Sequence, residues 1–138
     1  YSDKRIKKEI NDSSLGLDFI NKLRAVEYKL INPADYPDVL LEKRFREENA
    51  ERPLEDQTVY NGLIAQEVRK VLDDLGLEWS GWSKNESDGK QGLQYGALTV
   101  PLVKAVQEQQ EIIESQQKMI EELKENLKRL ETLILENK

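Results

Sequence analysis

The chain has 138 residues, of which 38% are hydrophobic and 35% charged, and its formal net charge is −6. This length fits about one domain plus an appendage, and the balance of apolar and charged residues is typical of helical proteins and coiled coils. The acidic charge argues against a nucleic-acid partner, and the lack of cysteine and histidine excludes disulfides, imidazole bases and the usual zinc sites.

The N-terminal stretch, YSDKRIKKEI, combines a serine, an acidic residue and several cations. Such a stretch is most often an ordinary exposed terminus. A serine becomes a nucleophile only when a base takes its proton, and without histidine a neutral lysine is the strongest candidate. A lysine is neutral near pH 7 only when burial or neighbouring cations disfavour its charge, and Lys4, Arg5 and Lys8 are such neighbours.

Two short elements are predicted next. Apolar residues recur at helical spacing and predict a helix from about Gly16 to Arg24. Apolar and polar residues then alternate from Val26 to Leu30, which predicts a half-buried strand. Asn32 and Pro33 end this strand, because proline cannot donate a ladder hydrogen bond.

The segment from Asp38 to Thr58 is dense in charge and allows two interpretations. It fits either a helix around Val39 to Ala50 or a mobile excursion. A firmer helix is predicted after it, because apolar residues from Ile64 to Leu75 share one face and Gly76 stands at the C-cap.

A β-hairpin is predicted after this helix. Leu77 and Trp79 alternate with polar neighbours on one side, and Leu93 and Tyr95 do so on the other. The turn-forming residues between them place the tip at Asn85 to Gly89.

The C-terminal third shows a seven-residue apolar repeat, predicting a helix of about 40 residues from Ala97. Its a positions are Val106, Ile113, Ile120, Leu127 and Ile134, and its d positions are Gln109, Gln116, Leu123, Leu130 and Asn137. The largely apolar g positions widen the stripe, which favours three helices over two. We therefore predict a parallel homotrimer, with a dimer as the main alternative and the Gln109 and Gln116 amides hydrogen-bonding across the axis.

The fold class predicted from these elements is α+β, mainly α with a small β part. Residues 1–96 form a globular region of short helices and β-hairpins, packed at the base of a long C-terminal helix. Residues 97–138 form that helix, which builds a parallel trimeric coiled coil.

Four stretches also point to a family: SDKRIKKEI at residues 2–10, LGLDFINKLRAVEYKL at 15–30, GLIAQEV at 62–68 and YGALTVPLVKAVQEQQ at 95–110. Together they resemble the C-terminal intramolecular chaperone domain of bacteriophage tailspikes, tail fibres and neck appendages, of the endosialidase type. The cleaving module of this family recurs in the myelin regulatory factor. The resemblance covers nearly the whole chain, in the family's order.

The resemblance implies that the domain trimerises, aligns and folds three fibre chains, and then cuts itself off before the serine of its Ser-Asp motif. It implies Ser2 as the nucleophile, Lys7 as the base and the Tyr1–Ser2 bond as the cleavage bond, unless the cut lies one position earlier. Asp3 and Arg5 also match the motif and are possible supporting residues, with no catalytic role assigned to them.

Other residues have both a functional and an ordinary interpretation. Gln66 and Glu67 are candidate supporting residues that position the cleaving segment, and a polar pair on a helix is otherwise solvated surface.

Sequence spacing alone does not bring Ser2 and Lys7 together, because residues five apart lie on different faces of a helix or a strand. The fold, or a neighbouring subunit, has to do so. Attack of the Ser2 hydroxyl on the Tyr1 carbonyl would be an N-to-O acyl shift, leaving an ester that water hydrolyses. Direct attack by water is the alternative.

We therefore expect a single-turnover self-cleaving serine peptidase that acts as a chaperone in virion assembly. Its expected partners are other copies of itself and the fibre portion of its own precursor. We expect it to act in the host cytoplasm during virion assembly and to be released from the mature fibre by the cut. We expect no nucleic acid, membrane, metal or cofactor. The alternatives are a non-enzymatic trimerisation adaptor with inert Ser2 and Lys7 and, less favoured, a fragment of a membrane-tethered transcription factor.

Overall fold

The computed structural model describes residues 1–138 and confirms the α+β fold class, with three α-helices and four short strands. The helices are α1 (Leu17–Lys22), α2 (Ala65–Leu75) and α3 (Thr99–Glu136), and the strands are β1 (Val26–Tyr28), β2 (Tyr60–Gly62), β3 (Trp82–Lys84) and β4 (Gln91–Leu93). Contacts divide the chain into two units, one of residues 1–20 with 100–138 and one of residues 21–99. Residues 1–20 therefore group with α3 and not with the rest of residues 1–96.

The first sheet of the 21–99 unit pairs β1 with β2 in antiparallel register. Val26 lies opposite Gly62, and Tyr28 lies opposite Tyr60 with the two rings stacked 5.7 Å apart. The predicted strand is thus confirmed over its first three residues, whereas Leu30 lies beyond it and is exposed. The sequence did not predict the partner strand β2, because its three residues show no alternation of apolar and polar side chains.

The charged segment from Asp38 to Thr58 forms no α-helix, so the helical interpretation is wrong. Its regular structure is a 3₁₀ turn at Lys43–Phe45, because its apolar residues are too few to build a buried helical face. Leu54, for example, is 98% exposed.

Two polar contacts tie this segment to the turn after β1. The Asn32 side chain, 5% exposed, donates to the Pro53 carbonyl oxygen over 2.8 Å and accepts from the Ala34 N–H over 3.0 Å. The Arg52 guanidinium donates to both carboxylate oxygens of Asp35, over 2.8 and 2.5 Å. Side-chain hydrogen bonds therefore hold this segment in place, whereas apolar packing holds the helices.

Helix α2 and its C-cap agree with the prediction. The helix buries Val68 and Leu72 on its apolar face, and it ends at Gly76 with φ +65° and ψ +33°. The Gly76 N–H donates to the Asp73 carbonyl over 3.1 Å and the Leu77 N–H to the Leu72 carbonyl over 2.9 Å. This pair of bonds is the Schellman arrangement, which satisfies carbonyls left free at the helix end.

The hairpin and its tip are also confirmed, but its strands lie closer to the tip than predicted. Trp82 pairs with Leu93 and Lys84 with Gln91. Trp79 lies before the first strand and is buried, with its indole N–H donating to the Ala97 carbonyl over 3.3 Å. Tyr95 lies after the second strand, in a 3₁₀ turn, and its hydroxyl accepts a hydrogen bond from the Leu63 N–H over 2.9 Å.

Helix α1 and the base of α3 belong to the other unit. Helix α1 lies within its predicted range and contains the fully buried Phe19. The Leu17 N–H at its start donates to the Glu108 carboxylate of α3 over 3.3 Å. Gly16 is buried beside the same carboxylate, where a side chain would displace Glu108. This contact links the N-terminal segment to one face of α3.

Helix α3 confirms the predicted long helix, at 38 residues and therefore about 57 Å. It buries Pro101 and Ala105 near its start, and from Val106 onward every residue except the half-buried Glu108 is exposed. The exposed apolar residues include Val106, Ile113, Ile120, Leu123, Leu127, Leu130 and Ile134 of the predicted seam. None of the helices is both long and apolar enough to cross a membrane.

We predict that Gly76→Ala lowers the free energy of unfolding by roughly 1–2 kcal/mol, because a β-carbon disfavours the left-handed backbone. No atom lies within 4 Å of the position that this β-carbon would occupy, so the cost is conformational and not steric. Gly96→Ala is the matched control, since its surroundings are equally open and its φ is not positive. Urea denaturation checks both variants, and equal effects would contradict the prediction.

Candidate functional site

The N-terminal segment folds into a single 3₁₀ turn at Lys4–Ile6. Asp3 is its N-cap, and its carboxylate accepts a hydrogen bond from the Arg5 N–H over 2.9 Å. Two backbone bonds complete the turn, from the Ile6 N–H to the Asp3 carbonyl (3.3 Å) and from the Lys7 N–H to the Lys4 carbonyl (3.1 Å). Aspartate is among the best N-cap residues because its side chain satisfies a free N–H at the start of the turn.

The Arg5 side chain also folds back onto Asp3. Its Nε lies 3.1 Å from Oδ1 and its Nη2 lies 2.7 Å from Oδ2 of the Asp3 carboxylate. The side-chain hydrogen bonds from Arg5, and next its backbone N–H, hold the pKa of Asp3 below its ordinary value. The same pairing raises the pKa of Arg5. The sequence indicated these two residues only as possible supporting residues and did not predict the cap, although an aspartate one position before a short polar turn is the signal of one.

The turn brings Ser2 and Lys7 together. Lys7 is extended at the end of the turn, with φ −114° and ψ 144°. Its Nζ donates a hydrogen bond to the Ser2 Oγ over 2.9 Å. A regular helix or strand would place these two side chains on different faces. Here a single capped turn lies between extended backbone at Asp3 and Lys7, and this shape brings Ser2 and Lys7 together.

The site is open to solvent in the single chain. All of residues 1–10 are exposed, including the apolar side chains of Ile6 (69%) and Ile10 (62%). A hydroxyl and an amine at hydrogen-bond distance have the geometry of a nucleophile and its general base. Lysines that act as general bases lie in sites that exclude water. The geometry is therefore present without the dry environment that the chemistry needs.

Glu9 lies in the left-handed region of the backbone, with φ +53°. This conformation costs a residue with a side chain about 1–2 kcal/mol. The Asn11 side-chain amide donates to the Glu9 carbonyl over 3.1 Å and stabilises the bend. The chain thus turns sharply two residues after Lys7.

Gln66 and Glu67, the candidate supporting residues, lie at the start of α2 in the 21–99 unit, whereas Ser2 and Lys7 lie in the other unit. Gln66 is exposed. Glu67 forms a two-point ion pair with Arg24, over 2.5 and 3.1 Å, which joins α2 to the segment between α1 and β1. The Arg24 hydrogen bonds lower the pKa of Glu67. No group of three or more acidic side chains is arranged to hold a metal ion.

The family model described as chaperone of endosialidase, which is a peptidase family, matches residues 2–77 of the chain. The chain belongs to the chaperone of endosialidase family. The matched range begins at Ser2 and contains Lys7, and it ends before the hairpin and α3. Searches of curated proteins and of solved structures found no match. Membership supports a chaperone role and a self-cleaving peptidase.

We predict that Glu67→Gln in this chaperone domain lowers the free energy of unfolding at pH 7 and has no effect well below pH 4. The folded pKa of Glu67 is depressed, so its contribution is present above the unfolded pKa of about 4.3 and is lost as the pH falls through the folded pKa. Denaturation curves at several pH values measure the difference. Glu86→Gln is the control, because Glu86 is exposed on the hairpin tip, and an equal response of both variants would contradict the prediction.

Proposed function

We propose that this domain is an intramolecular chaperone that trimerises through α3, aligns three copies of the fibre portion of its precursor, and then cuts itself off before Ser2. The observation that carries the proposal is the 2.9 Å hydrogen bond between Lys7 Nζ and Ser2 Oγ. It lies inside the range that matches a peptidase family. The host cytoplasm during virion assembly is the proposed place of action.

The proposed chemistry is an acyl shift followed by hydrolysis. Lys7 takes the Ser2 hydroxyl proton as Oγ attacks the Tyr1 carbonyl carbon. The bond from that carbon to the Ser2 nitrogen then breaks, the nitrogen takes up a proton, and an ester joins the Tyr1 carbonyl to Oγ. Water hydrolyses this ester to a Tyr1 carboxylate and a free Ser2. Each chain reacts once, because its own backbone is the substrate.

Assembly supplies what the single chain lacks at this site. Ser2 and Lys7 are exposed here, and the neutral amine needs burial or crowding by cations. Trimerisation would cover the exposed Ile6 and Ile10 side chains and bring further copies of the cationic segment close by. Cleavage is thereby made dependent on assembly.

The support for a trimer is the uncovered apolar stripe of α3. Its a and d side chains are about half exposed or more along the whole seam, and the g residues Ile112, Met119 and Leu133 widen it. Burying such side chains contributes roughly 1.5–3 kcal/mol each. A stripe wider than a and d alone favours three helices over two.

Alignment followed by a cut suits the folding of a fibre. Non-local β-structure folds slowly because loop-closure entropy is lost before the contacts form, and a trimeric nucleus fixes the register in advance. After the cut the fibre is no longer joined to the trimeric nucleus, so unfolded chains could not be realigned by it. Release is then a kinetic trap for the folded state.

Substitution at the dyad tests the chemistry in a precursor that carries the fibre portion. We expect Ser2→Ala to abolish the cut before residue 2 and Lys7→Met to slow it roughly 10²- to 10⁴-fold, the usual contribution of a general base. Lys22→Met is the control, because Lys22 is another exposed lysine that lies outside both the Ser2 hydrogen bond and the cationic N-terminal segment. Mass spectrometry of the fragments measures each rate.

Hydroxylamine separates the two routes to the products. Through the ester route it should trap Tyr1 as a hydroxamate, whereas direct attack by water leaves nothing to trap. A precursor that trimerises and stays whole would reject the peptidase and favour the non-enzymatic adaptor, which the same α3 stripe would serve.

Substitution in the seam tests the trimer. We expect Leu127→Asp, at an a position, to shift the chain from trimer to monomer at micromolar concentration in sedimentation velocity. Each copy would lose at least the roughly 2–5 kcal/mol of a buried leucine truncation. Leu135→Asp is the control, since it makes the same change off the seam at a b position. A wild-type monomer, or equal dissociation by both variants, would overturn the trimer.

A further inference from the structure

We propose that Asp3 is the positioning residue of this site: its carboxylate caps the 3₁₀ turn whose shape allows Lys7 to reach Ser2. The inference rests on the proposed self-cleavage and adds to it a residue that does not touch the reacting atoms. Its basis is a chain of hydrogen bonds running from Asp3 through the turn to Lys7.

The turn depends on its cap because its own backbone bonds are few. Two close it, and the one from the Ile6 N–H to the Asp3 carbonyl is 3.3 Å, beyond the usual range. The bond from the Arg5 N–H to the Asp3 carboxylate is shorter, at 2.9 Å. A single isolated turn fixes several dihedral angles for little hydrogen-bond energy. The side-chain bond is therefore a large share of what holds it.

Packing does not compensate for a lost cap. The turn contains no buried residue, and Ile6 at its end is 69% exposed. With the cap removed, the segment has no core contact that would keep Lys7 near Ser2. The distance between Nζ and Oγ then becomes one of many that the chain samples.

Arg5 has a secondary part in this arrangement. It holds both carboxylate oxygens of Asp3 from one side, which orients the carboxylate toward the Arg5 N–H. Both side chains are largely exposed, at 87% for Arg5 and 44% for Asp3. Exposed ion pairs contribute little. The cap, and not the charge, is therefore the main contribution of Asp3.

Cleavage rates of the full precursor test this assignment. We expect Asp3→Ala to slow the cut about 5-fold, within roughly 2- to 30-fold, from the usual cost of a lost N-cap. Asp3→Asn should restore the rate to within about 2-fold of wild type, since asparagine caps as well as aspartate. Arg5→Ala should stay within about 3-fold. Asp12→Ala is the control, as another exposed acid in the same segment.

Amide hydrogen exchange of Arg5 and Lys7 supplies a second readout in the 138-residue chain. Both amides should exchange several-fold faster in Asp3→Ala and near the wild-type rate in Asp3→Asn. An Asp3→Ala precursor that is cut at the wild-type rate, an Asp3→Asn precursor as slow as Asp3→Ala, or unchanged exchange would overturn the inference. If the wild-type precursor is not cut, the proposed function fails, and the exchange rates still decide whether Asp3 holds the turn.

Discussion

The constraint on which the rest depends is that α3 has an apolar stripe that its own chain leaves uncovered. The helix buries Pro101 and Ala105 on one face near its start, while seam residues from Val106 to Ile134 face water. A helix of this length is stabilised mainly by packing, which these side chains do not receive within the chain. In the proposed trimer, association with other copies provides this packing.

The same helix also carries the N-terminal segment. Glu108 of α3 accepts from the Leu17 N–H beside the buried Gly16, on a face that does not include the seam position Val106. One face of the helix therefore remains available for other copies while another holds its own chain. In the proposed trimer, helices aligned in register would hold their N-terminal segments at the same level along the axis.

What the sequence could predict depends on whether the signal was local and repeated. The seam of α3 repeats over several heptads. The C-cap of α2 is marked by Gly76, because the left-handed backbone that ends a helix favours glycine. Strand β2 has three residues and no pattern, and the segment from Asp38 to Thr58 is held by Asn32 and Arg52 through hydrogen bonds between distant residues. No periodicity encodes such contacts.

The geometry and the environment of the candidate site have different origins, and this difference bears on when the proposed cleavage occurs. Residues 2–7 build the Ser2–Lys7 geometry among themselves, through one capped turn that periodic patterns cannot reveal. The environment is different, because every residue of that segment is exposed to water. The single chain already has the local geometry, and in the proposed trimer association of the copies would exclude water from it. In the proposed mechanism, the site would therefore be unreactive in a single chain and would become reactive when the copies are aligned.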